Sequence, residues 1–296
     1  MIKAVIFDMD GTLLDTEKYY IMFWPKALEH FGYKVTREQV LTLRSLGRPY
    51  APEYLKKMVN DPNLDYEAVR SYRRKIMEEY LKTVKVDIKP GAVEILTYLK
   101  DKNIHRAVAT ASDLERTTRY LKQFGLYEYF DKIVCAPMVE HGKPAPDVYE
   151  YACSQIGLAP EECMAVEDSP NGIKSACAAG CKVVMVPDLT QPDEEIKDML
   201  YACVPTLTDL KQFILVGEDI SGEQQICLSG SATHGTIRRH HSLGLLIPTS
   251  FTLQNNILQY EQHSQNIHQN TDLLFFCLSG RNIQYNVGDN AHSDTF

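Results

Sequence analysis

The sequence predicts a doubly wound α/β fold: a parallel sheet with helices on both faces, and a small all-helical domain inserted after the first strand. Three observations carry that prediction. A short apolar run with β-branched residues, Ile2 to Phe7, stops at Asp8 and Gly11. From Glu17 to Thr83, apolar and aromatic residues recur every three or four positions instead. Beyond Pro90 and Gly91, strand-like runs alternate with segments of helical pattern. Strands spaced by helices of about 10 to 15 residues make parallel β-α-β units.

The run Ile2 to Phe7 is too short for a helix and has no polar face, so it reads as a strand buried on both sides. In the following segment Tyr20, Phe23, Trp24, Leu28 and Phe31 form one apolar stripe at helical spacing. Residues 16–85 are therefore assigned to the helical cap, and 1–15 with 86–216 to the α/β core. Within the core, strands are expected at His105–Thr110, Lys132–Cys135, Cys163–Glu167 and Lys182–Val186. Helices are expected at Asp113–Phe124, Pro146–Ile156 and Pro170–Ala179.

Past Gly217 the composition shifts: lysine disappears, and Gln, Asn, Ser and His accumulate. Residues 217–296 read as a weakly ordered appendage without catalytic duty. Its six histidines (His234, His240, His241, His263, His268 and His292) lack regular metal-ligand spacing.

Bulk properties narrow the function. With 44% hydrophobic residues the chain has ample material for a core. A net charge of -8 argues against nucleic-acid binding, which needs a basic stripe to displace counterions. A few local cations still suffice for a small phosphorylated substrate. No apolar run approaches the ~20 residues of a membrane span, and no signal peptide precedes Met1, so a cytoplasmic protein is expected, monomeric with a dimer as the alternative. The eight cysteines form no Cys-x-x-Cys pair and read as buried structural thiols, Cys177 and Cys181 facing one another on a helix.

The chemistry gathers at strand ends. Asp8-Met9-Asp10-Gly11-Thr12 follows the first strand directly, and open α/β sheets bind ligands outside the carboxyl ends of their strands. Alternation puts Asp8 and Asp10 on one side, where their crowded charges call for a cation. Taken alone, acids and a glycine after a strand also describe an ordinary turn. Val108-Ala109-Thr110-Ala111-Ser112 ends a second strand in hydroxyls, of which Ser112 reads as the cap of the next helix. Gly142-Lys143-Pro144-Ala145-Pro146 aims one lysine from a proline-stiffened loop. Val166-Glu167-Asp168-Ser169-Pro170 places two more acids at a strand end. Magnesium prefers such hard oxygen ligands.

These four segments, in this order, resemble the motifs of the haloacid dehalogenase-like hydrolase superfamily, in the branch with a small helical cap and nearest to β-phosphoglucomutases and sugar phosphatases. The resemblance covers roughly residues 1 to 215. It implies that Asp8 is a nucleophile forming an aspartyl-phosphate and that Asp10 is the general acid and base, its carboxyl held above the usual carboxylate range. It implies that Thr110, Ala111 and Lys143 bind the phosphoryl group. A magnesium ion would be held by Asp8, the Asp10 carbonyl and Asp168, with Glu167 direct or through water. The cap stretch Leu43 to Pro49 matches the family's selectivity segment, making Arg44, Gly47 and Arg48 candidate substrate residues; the match to the mutase cap is loose. The expected activity is magnesium-dependent hydrolysis of a small phosphorylated metabolite. A phosphomutase and a non-catalytic binding protein of the same fold are the alternatives.

Overall fold

The computed structural model describes residues 1–214. The expected appendage, its histidines, Cys227 and Cys277 lie outside the described residues. The chain runs β1 (Ala4–Phe7), α1 (Glu17–His30), α2 (Arg37–Leu41), α3 (Tyr50–Val59), α4 (Tyr66–Leu81), α5 (Ala92–Asp101), β2 (His105–Thr110), α6 (Leu114–Gln123) and β3 (Lys132–Cys135). It continues with α7 (Asp147–Ile156), β4 (Cys163–Glu167), α8 (Pro170–Ala178), β5 (Lys182–Met185), α9 (Glu194–Lys197), β6 (Ala202–Cys203) and α10 (Lys211–Ile214).

The strands form one parallel sheet in the order β3-β2-β1-β4-β5-β6. Both faces are covered, which is why the strands read as continuous apolar runs. Val5, Phe7, Val108, Val166 and Val184 point to one side, against Leu96 and Leu99 of α5 and Leu121 of α6. Ala4, Ile6, Ala109, Ala165 and Val183 point to the other, against Tyr149 of α7 and Ile173 of α8. Phe7 pairs with Val108 on one flank and Val166 on the other, so the chain leaves β1 at Asp8 between the ends of β2 and β4. The strand order reverses between β1 and β4, the crevice where such sheets bind ligands.

Helices α1 to α4 are inserted between β1 and α5 and share an apolar cluster of their own, including Trp24, Leu28, Val40, Leu55 and Val69. Phe31, placed in the stripe by its spacing, instead lies past the end of α1 and is 39% exposed. In the α/β core, α5, β6 and the one-turn helices α9 and α10 escaped sequence reading. In α5 the spacing of Ile95, Leu96 and Leu99 is sound but follows directly on the Pro90-Gly91 break, and β6 is two residues long. The cysteines also differ from expectation: Cys177 is exposed, and Cys181 lies beyond α8, its sulfur 3.8 Å from that of Cys153.

One contact ties the helical insert to the core near the strand ends. The Gly47 N–H donates to the Lys143 carbonyl at 2.8 Å and the Gly142 N–H to the Arg48 carbonyl at 2.7 Å. The two backbones approach so closely that a Cβ on Gly47 would stand 2.6 Å from the Gly142 Cα. No rotamer relieves a clash with main chain, so either loop would have to move. Gly47→Ala is expected to destabilise by about 1 to 3 kcal/mol, the usual range for overpacking, read as a lower denaturant midpoint at unchanged slope.

Candidate active site

Three strand-end segments, the loop that carries Lys143 and two insert elements converge on one buried charged cluster. Asp8 is 1% exposed, and its backbone N–H donates to the Val166 carbonyl, which fixes β1 against β4 at this point. Its Oδ1 accepts from Lys143 Nζ at 2.6 Å, while its Oδ2 is buried without a partner among the described residues. Lys143, equally buried, spends its three protons on Asp8, on Glu167 Oε1 at 2.6 Å and on the Ala109 carbonyl at 2.9 Å. Burial disfavours its charge, but Asp8 and Glu167 outweigh that and hold its ammonium well above the ordinary lysine range.

Glu167 is the hub behind this pair. Its Oε1 also accepts from the Tyr149 hydroxyl at 2.7 Å, and its Oε2 from the Asp168 N–H and the Ser169 hydroxyl, both at 3.3 Å. The carboxylate lies flat on α8 because position 172 is glycine; a Cβ there would stand 2.0 Å from Oε1. Asp168 is fully buried. Its Oδ1 accepts from Thr12 at 3.3 Å, and its Oδ2 has no hydrogen-bond donor among the described residues, with Arg44 Nη1 at 3.6 Å. Burial, only partly offset by Arg44, pushes its carboxyl up to about 7. Gly11, at φ +90°, turns the chain beneath Asp168, where a Cβ would stand 2.5 Å from Oδ2.

Asp10 is held differently from Asp8. Arg116 grips it bidentately, Nη1 on Oδ2 and Nη2 on Oδ1, both at 2.8 Å. Thr16 donates to Oδ1 at 2.6 Å and Ser112 to Oδ2 at 3.0 Å. Burial pushes this carboxyl up, yet Arg116 and the two hydroxyls bring it below the usual carboxylate range. That reverses the expectation of a raised carboxyl: in this arrangement Asp10 is an anion. Ser112 is likewise corrected, since Asp113 caps α6 by accepting from the Arg116 N–H, which frees the Ser112 hydroxyl for Asp10.

Thr110 lies at the end of β2, its hydroxyl accepting from the Ser112 N–H at 3.1 Å. Thr110 and Ala111 line one cavity of about 110 Å³ together with Asp8, Asp10 and Arg44. The insert thus delivers Arg44 to the cluster: Nη2 donates to the Asp168 carbonyl at 3.3 Å and to Thr190 at 2.6 Å. Gly47 instead serves the backbone contact with the Lys143 loop. Arg48 is not brought to Asp8; its side chain is 61% exposed beside Glu67.

Sequence reading missed Glu17, Arg116 and Tyr149. Glu17 opens α1, is 4% exposed, and leaves its Oε2 unpaired; burial and the charges of Asp168 and Asp10 hold its carboxyl well above the ordinary range. Three carboxylates, Asp8, Glu167 and Asp168, each offer an oxygen within 4.8 Å of the others. The oxygens of Glu167 already have protein donors, whereas Asp8 Oδ2 and Asp168 Oδ2 have none among the described residues. Two orphaned, buried carboxylate oxygens beside a third acid fit a hard divalent cation, which takes oxygen ligands only.

Comparison with known proteins identifies the family. The haloacid dehalogenase-like hydrolase family profile matches residues 5–186. The phosphorylated carbohydrates phosphatase of Thermotoga maritima is 31% identical over 180 residues, 60% of this chain and 82% of that protein. The fructose-1-phosphate phosphatase YqaB of Escherichia coli is 30% identical over 185 residues, 62% of this chain and 95% of that protein. The crystal structure of β-phosphoglucomutase from Clostridium difficile superposes with a TM-score of 0.62 at 25% identity, covering 73% of this chain and 96% of that one.

Proposed function

The chain belongs to the haloacid dehalogenase-like hydrolase family, and from that premise we propose that it is a phosphatase hydrolysing a small phosphorylated metabolite through an aspartyl-phosphate on Asp8. The observation that carries this reading is the state of Asp8: fully buried, one oxygen fixed by Lys143 and the other unspent, at a cavity bordered by Thr110 and Ala111.

Attack by an Asp8 oxygen on phosphorus breaks the ester bond, and the departing oxygen takes a proton; water then cleaves the acyl phosphate and restores the carboxylate. Lys143 neutralises charge on the transferred phosphoryl group while Glu167 and Tyr149 hold its ammonium in place. In this reading the Thr110 hydroxyl and the Ala111 N–H donate to phosphoryl oxygens. Asp10, an anion in the grip of Arg116, has the form needed to take a proton from the hydrolytic water. Donating to the leaving oxygen requires a proton first, hence a looser hold by Arg116. Asp8, Asp168 and the Asp10 carbonyl would hold magnesium, with Glu167 acting through water. The ion would supply charge neutralisation on the phosphoryl oxygens and favour ionised Asp8, whose carboxyl burial otherwise pushes up. The helical insert serves as the cap that shields the transfer from water.

A phosphate-release screen over a metabolite library with magnesium tests this reading, with isomer formation from β-glucose 1-phosphate followed in parallel. Release from at least one ester is expected; isomer formation without release would identify a mutase, and silence throughout would favour a binding protein. Chelation by EDTA is expected to abolish release reversibly. Readded magnesium should also raise the melting temperature in a concentration-dependent way, as any ligand of the native state does.

A further inference from the structure

Helix α4 turns three arginines towards the cavity that holds Asp8 and Asp10. Two of them have acids: Arg70 Nη1 lies 3.5 Å from Glu67 Oε2, and Arg74 Nη2 donates to Asp113 Oδ2 at 2.6 Å. Arg73 has none. It is only 9% exposed, its Nε is fully enclosed without an acceptor, and no carboxylate among the described residues pairs with it. Its guanidinium carbon instead lies 4.6 Å from the centre of the Tyr20 ring and 4.4 Å from that of Trp24.

Aromatic faces offset only part of the cost of dehydrating a guanidinium, and buried charges are otherwise paired. Stability given up at one residue beside a reaction cavity is the usual mark of a group kept for binding. The same Tyr20 ring carries the Arg116 guanidinium at 5.3 Å, and Arg116 holds Asp10. Tyr20 therefore neighbours both Arg73 and the Arg116–Asp10 ion pair.

We propose that Arg73 selects the substrate by pairing with a second anionic group, a carboxylate or a phosphate, at the end of the molecule remote from the ester that reaches Asp8. This deepens the phosphatase reading and rests on it. A planar guanidinium with its donors unspent takes two oxygens of either group at once. A neutral tail would seal the cation in without a partner, so esters with neutral tails are discriminated against by charge rather than by shape.

The test compares the full chain with Arg73→Met, which keeps an apolar stem between the rings, and Arg73→Lys, which keeps the charge. Phosphate release is measured for propyl phosphate, 3-phosphonooxypropionate and propane-1,3-diyl bisphosphate. The unmodified chain is expected to favour at least one charged-tail ester over propyl phosphate by tenfold or more in kcat/KM, and the preferred tail tells carboxylate from phosphate. Arg73→Met is expected to cut that ratio at least tenfold and to melt at or above the unmodified chain, with Arg73→Lys keeping part of the ratio. Calorimetric binding of propylphosphonate, 3-phosphonopropionate and propane-1,3-diphosphonate asks the same question without turnover. A charged-tail preference that Arg73→Met removes supports the assignment even if no ester is cleaved, a result that would sink only the phosphatase reading. Absence of a charged-tail preference, or an unchanged ratio in both variants, overturns it.

Discussion

Asp8→Asn is expected to lower kcat by on the order of 10⁶ for every ester the protein hydrolyses, the scale of loss when a covalent nucleophile is removed. The amide matches the carboxylate in shape and still accepts from Lys143, so the fold survives. Stability is expected to hold or rise, because burial makes the ionised Asp8 carboxylate costly and holds its carboxyl well above the usual range. A single-turnover experiment with radiolabelled phosphate reads the same point directly: label retained on the unmodified protein after acid quench and absent from Asp8→Asn. Turnover within tenfold of the unmodified enzyme in that variant would rule out attack by this carboxylate.

Lys143→Met is expected to cost both activity and stability, and for a different reason. Its ammonium is the shared counter-charge of Asp8 and Glu167, both essentially sealed from water. Removing one partner of a buried pair leaves uncompensated charge and costs about 3 to 5 kcal/mol. For a domain of this size each kcal/mol lowers the melting temperature by roughly 2 to 4 °C. The diagnostic is a double-mutant cycle: Asp8→Asn with Lys143→Met is expected to be less destabilised than the sum of the single changes, because the neutral amide no longer needs the cation. Strict additivity would mean that the 2.6 Å contact contributes nothing to stability.

The parts of this site that sequence reading reached were those written into one strand and the turn after it. Asp8, Thr110, Glu167 and Asp168 each end a buried apolar run, and the strand pattern that predicts the sheet also predicts that those ends meet at one edge. Arg116, Glu17 and Tyr149 carry no such mark. Arg116 sits in the first turn of an amphipathic helix, where an arginine ordinarily faces water; only the packing of α6 beside β1 turns it onto Asp10, a residue 106 positions away. Tyr149 reads as core, and does line the core, but its hydroxyl ends on Glu167. Glu17 looks like a first-turn acid favoured by the helix dipole, and its burial depends on where the insert lies over β1. The error at Ser112 was one of competition between neighbours: two adjacent side chains could cap α6, and the carboxylate of Asp113 took the amide. Arg48 matched the expected spacing from Arg44, yet the chain bends between them at Ser45, with φ 54°, so helical spacing does not apply there.

The paired glycines at 47 and 142 have a mechanical consequence. The loop bearing Lys143 is laced to the insert by two main-chain hydrogen bonds, one of them to the carbonyl of Lys143 itself. Swinging the insert aside to admit a ligand would break both of these bonds, while the ammonium keeps its three partners in the core, Asp8, Glu167 and the Ala109 carbonyl. Uncovering the pocket would thus cost main-chain bonds at this loop and leave its cation ready on the core.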